Sequence, residues 1–405
     1  MTNTAILAAS ALLLFAYLLD VVGRRWKLPS VVLLILTGIV LRQVMDSIHL
    51  HLRWVDPIVP VIGTLGLILI VLEGALDLEV SRQRLGLIAR AGASTLLGFV
   101  ATLAAFAVLF RLALNLDVPV AVLAAIPFAV ISSAVAIPAA RGLPDHPREF
   151  VIYESSLSDI LGVLVFYSWL NAHGSLEMFA FDLLGGSVLS LCIAVAAALA
   201  LYYFINQIEG HVRFLPLIAG LICLYAVGKE FHLSPLILVL GCGLLINNPH
   251  LITWNASLRS LRSVNYDQTL KEFKGLVAEL TFATKSFFFL LLGYWTNLSD
   301  MVSLTAWTVA GAGIVIIYAS RWLILKVLRQ EAAERLLWIA PRGLITVLLF
   351  LSASESGKLQ GFPFGSVMLI VLATAALTAL AHRQSAIPAP QAAVLDPATA
   401  PPPGT

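Results

Sequence analysis

The stretch Tyr153-Glu-Ser-Ser-Leu-Ser-Asp159 sets two carboxylates and three hydroxyls inside an otherwise apolar run. Ser155 and Asp159 stand four residues apart and share one helix face, with Ser158 beside them. Glu154 lies about 140° round the helix from Asp159 and points elsewhere. One face therefore offers carboxylate and hydroxyl oxygens, hard ligands suited to a small monovalent cation, with Asp159 and Ser155 as the metal ligands. Burial disfavours a bare charge, so a carboxylate placed there calls for a proton or a cation to neutralise it. The other face offers Glu154 to a cation on a neighbouring helix. Glu73, Lys285 and Arg342 also lie deep in apolar runs. A charge at the centre of a bilayer costs about 2.5–3.5 kcal/mol on insertion scales, so each of the five needs a reason. The structural alternative is that Glu154, Lys285 and Arg342 brace the bundle as ion pairs. Asp159 fits that alternative poorly, having no cation on its own helix. Glu73 alternatively belongs with Asp77 and Glu79 at the rim.

The elements that must position these residues are membrane helices. The 405 residues are 60% hydrophobic and 12% charged, against about 25% charged in soluble domains. A mean hydropathy of +0.94 points the same way. The apolar runs are continuous, without period-2 alternation, which selects an all-α polytopic membrane protein over a barrel. Thirteen transmembrane segments are expected near residues 4–22, 28–43, 56–77, 86–112, 118–140, 149–170, 181–205, 212–229, 233–248, 276–296, 303–325, 331–352 and 363–381. With the N-terminus outside, eighteen of the 25 basic residues fall at cytoplasmic ends, Arg321 among them. Five fall outside, and Lys285 and Arg342 lie within the membrane. This bias puts the N-terminus outside and the C-terminus in the cytoplasm of a cell (inner) membrane. Within the loop 250–275, Asn255-Ala-Ser-Leu-Arg reads as an interfacial helix, and residues 382–405, rich in Pro and Ala, as a disordered cytoplasmic tail. Cys192, Cys223 and Cys242 read as small core residues without a redox role. A net charge of +2 implies no nucleic-acid partner, and no protease-like motif or cofactor signature suggests an enzyme.

The fifth and twelfth segments carry helix-breaking signals, Ile131-Ser-Ser-Ala-Val-Ala-Ile-Pro138 and Ile339-Ala-Pro-Arg-Gly343. Opened backbone survives in a membrane only where it lines a cavity or is buried in protein. The two segments are seven apart in order and run in opposite directions. This predicts two inverted-topology six-helix repeats, about 4–170 and 212–381, joined by a linker helix at about 181–205.

With these residues in place, the chain resembles the sodium/proton exchangers of the monovalent cation:proton antiporter superfamily, over about residues 5–380. The resemblance is closer to the electroneutral branch and rests on Glu154, Ser155 and Asp159. Leu72-Glu73-Gly74, Phe287-Phe-Phe289 and Pro341-Arg342-Gly343 add weaker support. Two departures stand out. Ser158 occupies the position where the family has Asn or Asp, and Ser132-Ser133-Ala134 replaces the family's Thr-Asp-Pro at the fifth-helix crossing. The resemblance implies an NhaA-like antiporter fold with crossed broken helices, in a homodimer embedded in the lipid bilayer. It implies exchange of a monovalent cation, Na+ first, for H+ by alternating access, with the cation and proton competing for Asp159. Ser155, Ser158, Ser132, Ser133 and, through water, Glu73 would complete the ion site. Glu154 would pair with Lys285, and Arg342 would support the crossing without its usual acidic partner. No cofactor is implied beyond the transported ion. K+/H+ antiport and Na+-coupled symport of an organic anion on a related fold are the alternatives.

Overall fold

The protein was analysed as a computed structural model, which describes residues 2–26, 30–47, 55–172, 174–207, 214–231, 233, 235–251, 266–330, 332–359 and 362–384. The described residues are helical throughout, with no strand among them. In chain order the helices are α1 (Thr2–Trp26), α2 (Ser30–Ser47), α3 (Val55–Asp77), α4 (Leu85–Leu114), α5 (Val118–Ala129), α6 (Ser133–Ala139), α7 (Asp145–Asn171), α8 (Leu176–Phe181), α9 (Ser187–Gln207), α10 (Leu215–Glu230), α11 (Pro235–Asn247), α12 (Tyr266–Trp295), α13 (Leu298–Val302), α14 (Leu304–Val327), α15 (Ala333–Leu337), α16 (Leu344–Glu355) and α17 (Phe364–Gln384). Among the described residues, eight helical runs are long and apolar enough to cross a membrane, and shorter apolar helices occupy Ser10–Gly23, Pro235–Asn247 and Leu344–Ser354. Each of the thirteen expected segments coincides with a helix or a broken helix. The tenth differs most at its start, because α12 begins ten residues before the expected 276. The expected interfacial helix at Asn255 and nearly all of the expected tail lie outside the described residues.

The fifth and twelfth segments break where the prolines and glycines indicate. The fifth divides into α5 and α6 around the extended residues 130–132. The twelfth divides into α15 and α16 around residues 338–343. The two open stretches cross, and the Ser132 backbone N–H donates to the Pro341 carbonyl at 2.9 Å. A Cβ on Gly343 would lie 2.9 Å from the Ser132 Cβ, so this approach of two backbones requires a residue without a side chain. Phe128 stacks on Phe106 at 4.9 Å, and Phe350 packs on Phe362 at 4.8 Å, filling the space around the crossing with aromatic rings.

The helices pack in two groups. In one, α2 lies along α12, α3 bridges α12 and α11, and α9 and α10 flank α11. There Gly38 and Gly293 bring α2 and α12 into backbone contact: a Cβ on Gly38 would be 2.9 Å from the Gly293 Cα. Small residues permit this close approach, and packing of this kind drives helix association in lipid. In the other group α4 packs on α5, α7 and α14, α17 packs on α14, and the crossing stretches sit between them. Thinner contacts of α3 and α11 with α7, and of α3 with α16, join the groups. Leu112 and Leu304, 76% and 80% exposed, are among the many large apolar side chains facing outward, the pattern expected of a surface solvated by lipid. Cys242 is buried as expected, but Cys192 and Cys223 lie on exposed faces of their helices rather than in the core. An apolar run by itself does not say which of its faces meets lipid.

Candidate cation-binding site

Asp159 sits at the middle of α7, one of the two longest helices of the group that holds the crossing, and is only 5% exposed. Its Oδ2 accepts the backbone N–H of Ser133 at 3.2 Å, the first residue of α6. Its Oδ1 is buried without a hydrogen-bond partner among the described residues. The break in the fifth helix is what creates this contact, because it frees the N–H groups of a new helix start toward the carboxylate. Glycine at 162 brings α7 against the open stretch: a Cβ there would lie 3.4 Å from the Val130 Cβ.

The hydroxyls around Asp159 take different roles. Ser155, fully buried, donates to the Val151 carbonyl at 2.7 Å, which leaves its oxygen lone pairs free to face a cation. Ser132 caps α6, its carbonyl accepting Ala136 N–H at 2.9 Å, and Ser133 orients Asp159 through its backbone. Ser158 points to the crossing instead: its oxygen accepts the Ile131 N–H at 2.9 Å and holds the open backbone in place. It therefore braces the break, at a position expected among the ion's ligands, and its second lone pair is not used by this bond. Glu73, half-buried on α3, belongs to the other group of helices, and the charges of Lys285 and Asp77 act on it. Its neighbour Gly74 faces Ser156 of α7, whose buried Oγ has no partner among the described residues.

The expected Glu154–Lys285 pair is replaced by another. Glu154 is 1% exposed and is held by the guanidinium of Arg321 on α14, Nη1 to Oε1 and Nη2 to Oε2 at 2.7 Å. Ser94 of α4 donates to the same carboxylate at 2.5 Å, and Thr95 donates to the Glu154 carbonyl at 3.0 Å. Arg321 also donates from Nε to the Leu336 carbonyl at 3.2 Å and so ties α7, α14 and α15 together. The physical reason is helix position. Lys285 is on α12, in the group that carries Glu73, whereas α14 lies within the group that carries α7. Sequence reading placed Arg321 at the cytoplasmic rim, but it lies six residues before the end of α14 at Val327 and is 6% exposed. One signal was available: Arg321 and Lys326 are five residues apart, about 7.5 Å along a helix, so both cannot occupy one rim level. Ser94, Thr95 and Ser156 carried no such signal. Arg342 is 2% exposed at the crossing, and its Nε donates to the Phe128 carbonyl at 2.6 Å and Nη1 to the Ala340 carbonyl at 3.1 Å.

The family described as sodium/hydrogen exchanger, transmembrane, matches residues 10–383. The chain belongs to this family. Its fold is similar to the sodium proton antiporter MjNhaP1 from Methanocaldococcus jannaschii at pH 8, with 20% identity and a TM-score of 0.72 over 95% of this chain and 97% of that one. An electron-microscopy map of the same antiporter matches with 20% identity and a TM-score of 0.71, over 95% and 98% of the two chains. No curated protein matches by sequence. As a member of the family the chain is a multi-pass membrane protein that exchanges sodium for protons, a transporter in class.

Proposed function

We propose that Asp159 is the group for which sodium and the proton compete, and that one sodium is exchanged for one proton in each cycle. The observation that carries this reading is the state of the Asp159 carboxylate. One oxygen is fixed by the Ser133 N–H, and the other is buried without a protein partner. A buried acceptor left unsatisfied is destabilising by about 1–3 kcal/mol, and more when charged. A proton or a cation on Oδ1 removes that penalty, and the two exclude each other. Sodium there would draw on Ser155, on carbonyl oxygens of the open stretch near Ser132 and, through water, on Glu73. Proton binding from one side releases the cation, and cation binding from the other side releases the proton.

Alternating access follows from the two groups of helices. The group bearing Asp159 and the crossing would slide against the group bearing α3 and α12, which would provide the homodimer interface. The bidentate Arg321–Glu154 pair lies wholly within the moving group and keeps it rigid. Arginine does not give up its proton in proteins, so this pair offers no second proton carrier and supports electroneutral coupling. In the cell membrane the N-terminus would face outward, following the distribution of basic residues. The test is sodium-driven proton flux in proteoliposomes. Asp159→Asn is expected to abolish it, and Asp159→Glu to retain part of it. Flux surviving in the asparagine variant would overturn the site assignment, and a steady transport current after a sodium jump would overturn electroneutrality.

A further inference from the structure

We infer that the core of the exchanger holds a small monovalent anion, chloride in class, in a cavity beside Arg342. The cavity, small enough to suit a water-sized or single-atom guest, lies between α4, α14 and the two open stretches, and Ser94, Thr102, Ser158, Ser320, Arg321 and Arg342 are among its walls. It stands apart from the carboxylate site: Asp159 does not line it. Within it the charges do not balance. Arg321 is neutralised by Glu154, which is also saturated by Ser94. Arg342 is 2% exposed, yet among the described residues no carboxylate pairs with it. It donates two of the five guanidinium N–H groups to carbonyls and has three to spare.

Those carbonyls close α5 and the twelfth-segment break, and the ends of helices supply partial negative charge of about half an elementary unit. That offsets part of a guanidinium charge and leaves the remainder. An unpaired buried cation is expensive, and a mobile counter-ion is the direct remedy where no side chain supplies one. The donors suit an anion. Ser158 accepts from Ile131, so its hydroxyl hydrogen is free to donate, and Ser158 lines the same cavity as the guanidinium. Ser133 and Ser158 stand where the resemblance expects acidic or amide side chains. The loss of carboxylate at the crossing leaves the positive charge that a bound anion would balance. The anion would be a resident counter-ion that stabilises the crossing and takes no part in the exchange step.

The test requires no transport. Purified full-length protein is melted in sodium chloride and in sodium gluconate at matched ionic strength, and binding of radiolabelled chloride is measured at equilibrium. A saturable rise of melting temperature with chloride, bromide or nitrate, but not with gluconate or sulfate, and one bound chloride per chain are expected. Arg342→Gln keeps a donor but removes the charge. It should weaken chloride binding by roughly tenfold or more, as expected for the loss of a charge-assisted contact. Thr102→Glu brings a carboxylate into the cavity and should remove the chloride response while raising the melting temperature in gluconate. No chloride binding by the wild-type protein, meaning a cavity that holds water only, overturns the inference. So does an unchanged chloride response in Arg342→Gln. Should that variant fail to fold, an unchanged response in Thr102→Glu decides against the site, and the wild-type binding measurement stands by itself. Failure of this test leaves the Asp159 reading intact, because the two sites share no ligand.

Discussion

The partner of Glu154 can be decided by a double-mutant cycle. Glu154 and Arg321 are 1% and 6% exposed and meet through two parallel N–H···O contacts, with Ser94 on the same carboxylate. Removing one partner of such a pair leaves an uncompensated charge, which destabilises by about 3–5 kcal/mol. In a chain of this size that corresponds to a fall in melting temperature of about 4–6 °C. Arg321→Gln and Glu154→Gln should each show it, measured by intrinsic fluorescence at one scan rate under conditions where refolding on cooling is recovered. The double variant should be less destabilised than the sum of the singles, giving a coupling on the order of 2 kcal/mol. Lys285→Gln crossed with Glu154→Gln should couple by less than about 0.5 kcal/mol, as expected of residues that do not touch. A coupling between 154 and 285 that exceeds the one between 154 and 321 would refute the assignment of the pair and the division of the helices into two groups.

Three further outcomes follow from the same geometry. Competition for one carboxylate means that lowering the pH by one unit should raise the half-saturating sodium concentration by up to about tenfold while the maximal rate returns at saturating sodium; a maximal rate that falls at every sodium concentration would place the proton elsewhere. Lys285→Gln removes a positive charge acting on Glu73, so sodium should half-saturate transport at a concentration roughly fivefold lower, about 1 kcal/mol; weaker sodium dependence instead would exclude Glu73 from the ion path. Gly343→Ala sets a Cβ 2.9 Å from that of Ser132 and should destabilise by about 1–3 kcal/mol with loss of exchange. At Gly311 and Gly142 a Cβ meets nothing within 4 Å, so alanine there should change the melting temperature little, and equal loss at all three positions would contradict the packing.

Much of the architecture was legible in the residues because a membrane imposes simple rules. Apolar runs of helix length mark the thirteen segments, and Pro138, Pro341 and Gly343 mark the two that open. Asp159 stood out because a lone carboxylate amid apolar residues has no cheap explanation. Ser155 and Asp159 on one face, with Glu154 on another, follow from the 3.6-residue repeat, and the structure turns Asp159 to α6 and Glu154 to α4 and α14.

What the linear order could not hold is which helix stands beside which. Lys285 and Arg321 are both basic and both within apolar runs, and only the packing of α14 against α4 in the group that carries α7 brings Arg321 to Glu154. Ser158 reads as an ion ligand in one dimension and in three also braces Ile131, because the break in the fifth helix exposes a backbone N–H beside it. Sequence determined the helices, their breaks and the buried carboxylate, since these depend on local geometry and on the cost of moving each group out of water. Tertiary structure alone decided the partner of each buried charge, since a pair in low dielectric is set by contact between helices far apart in the chain.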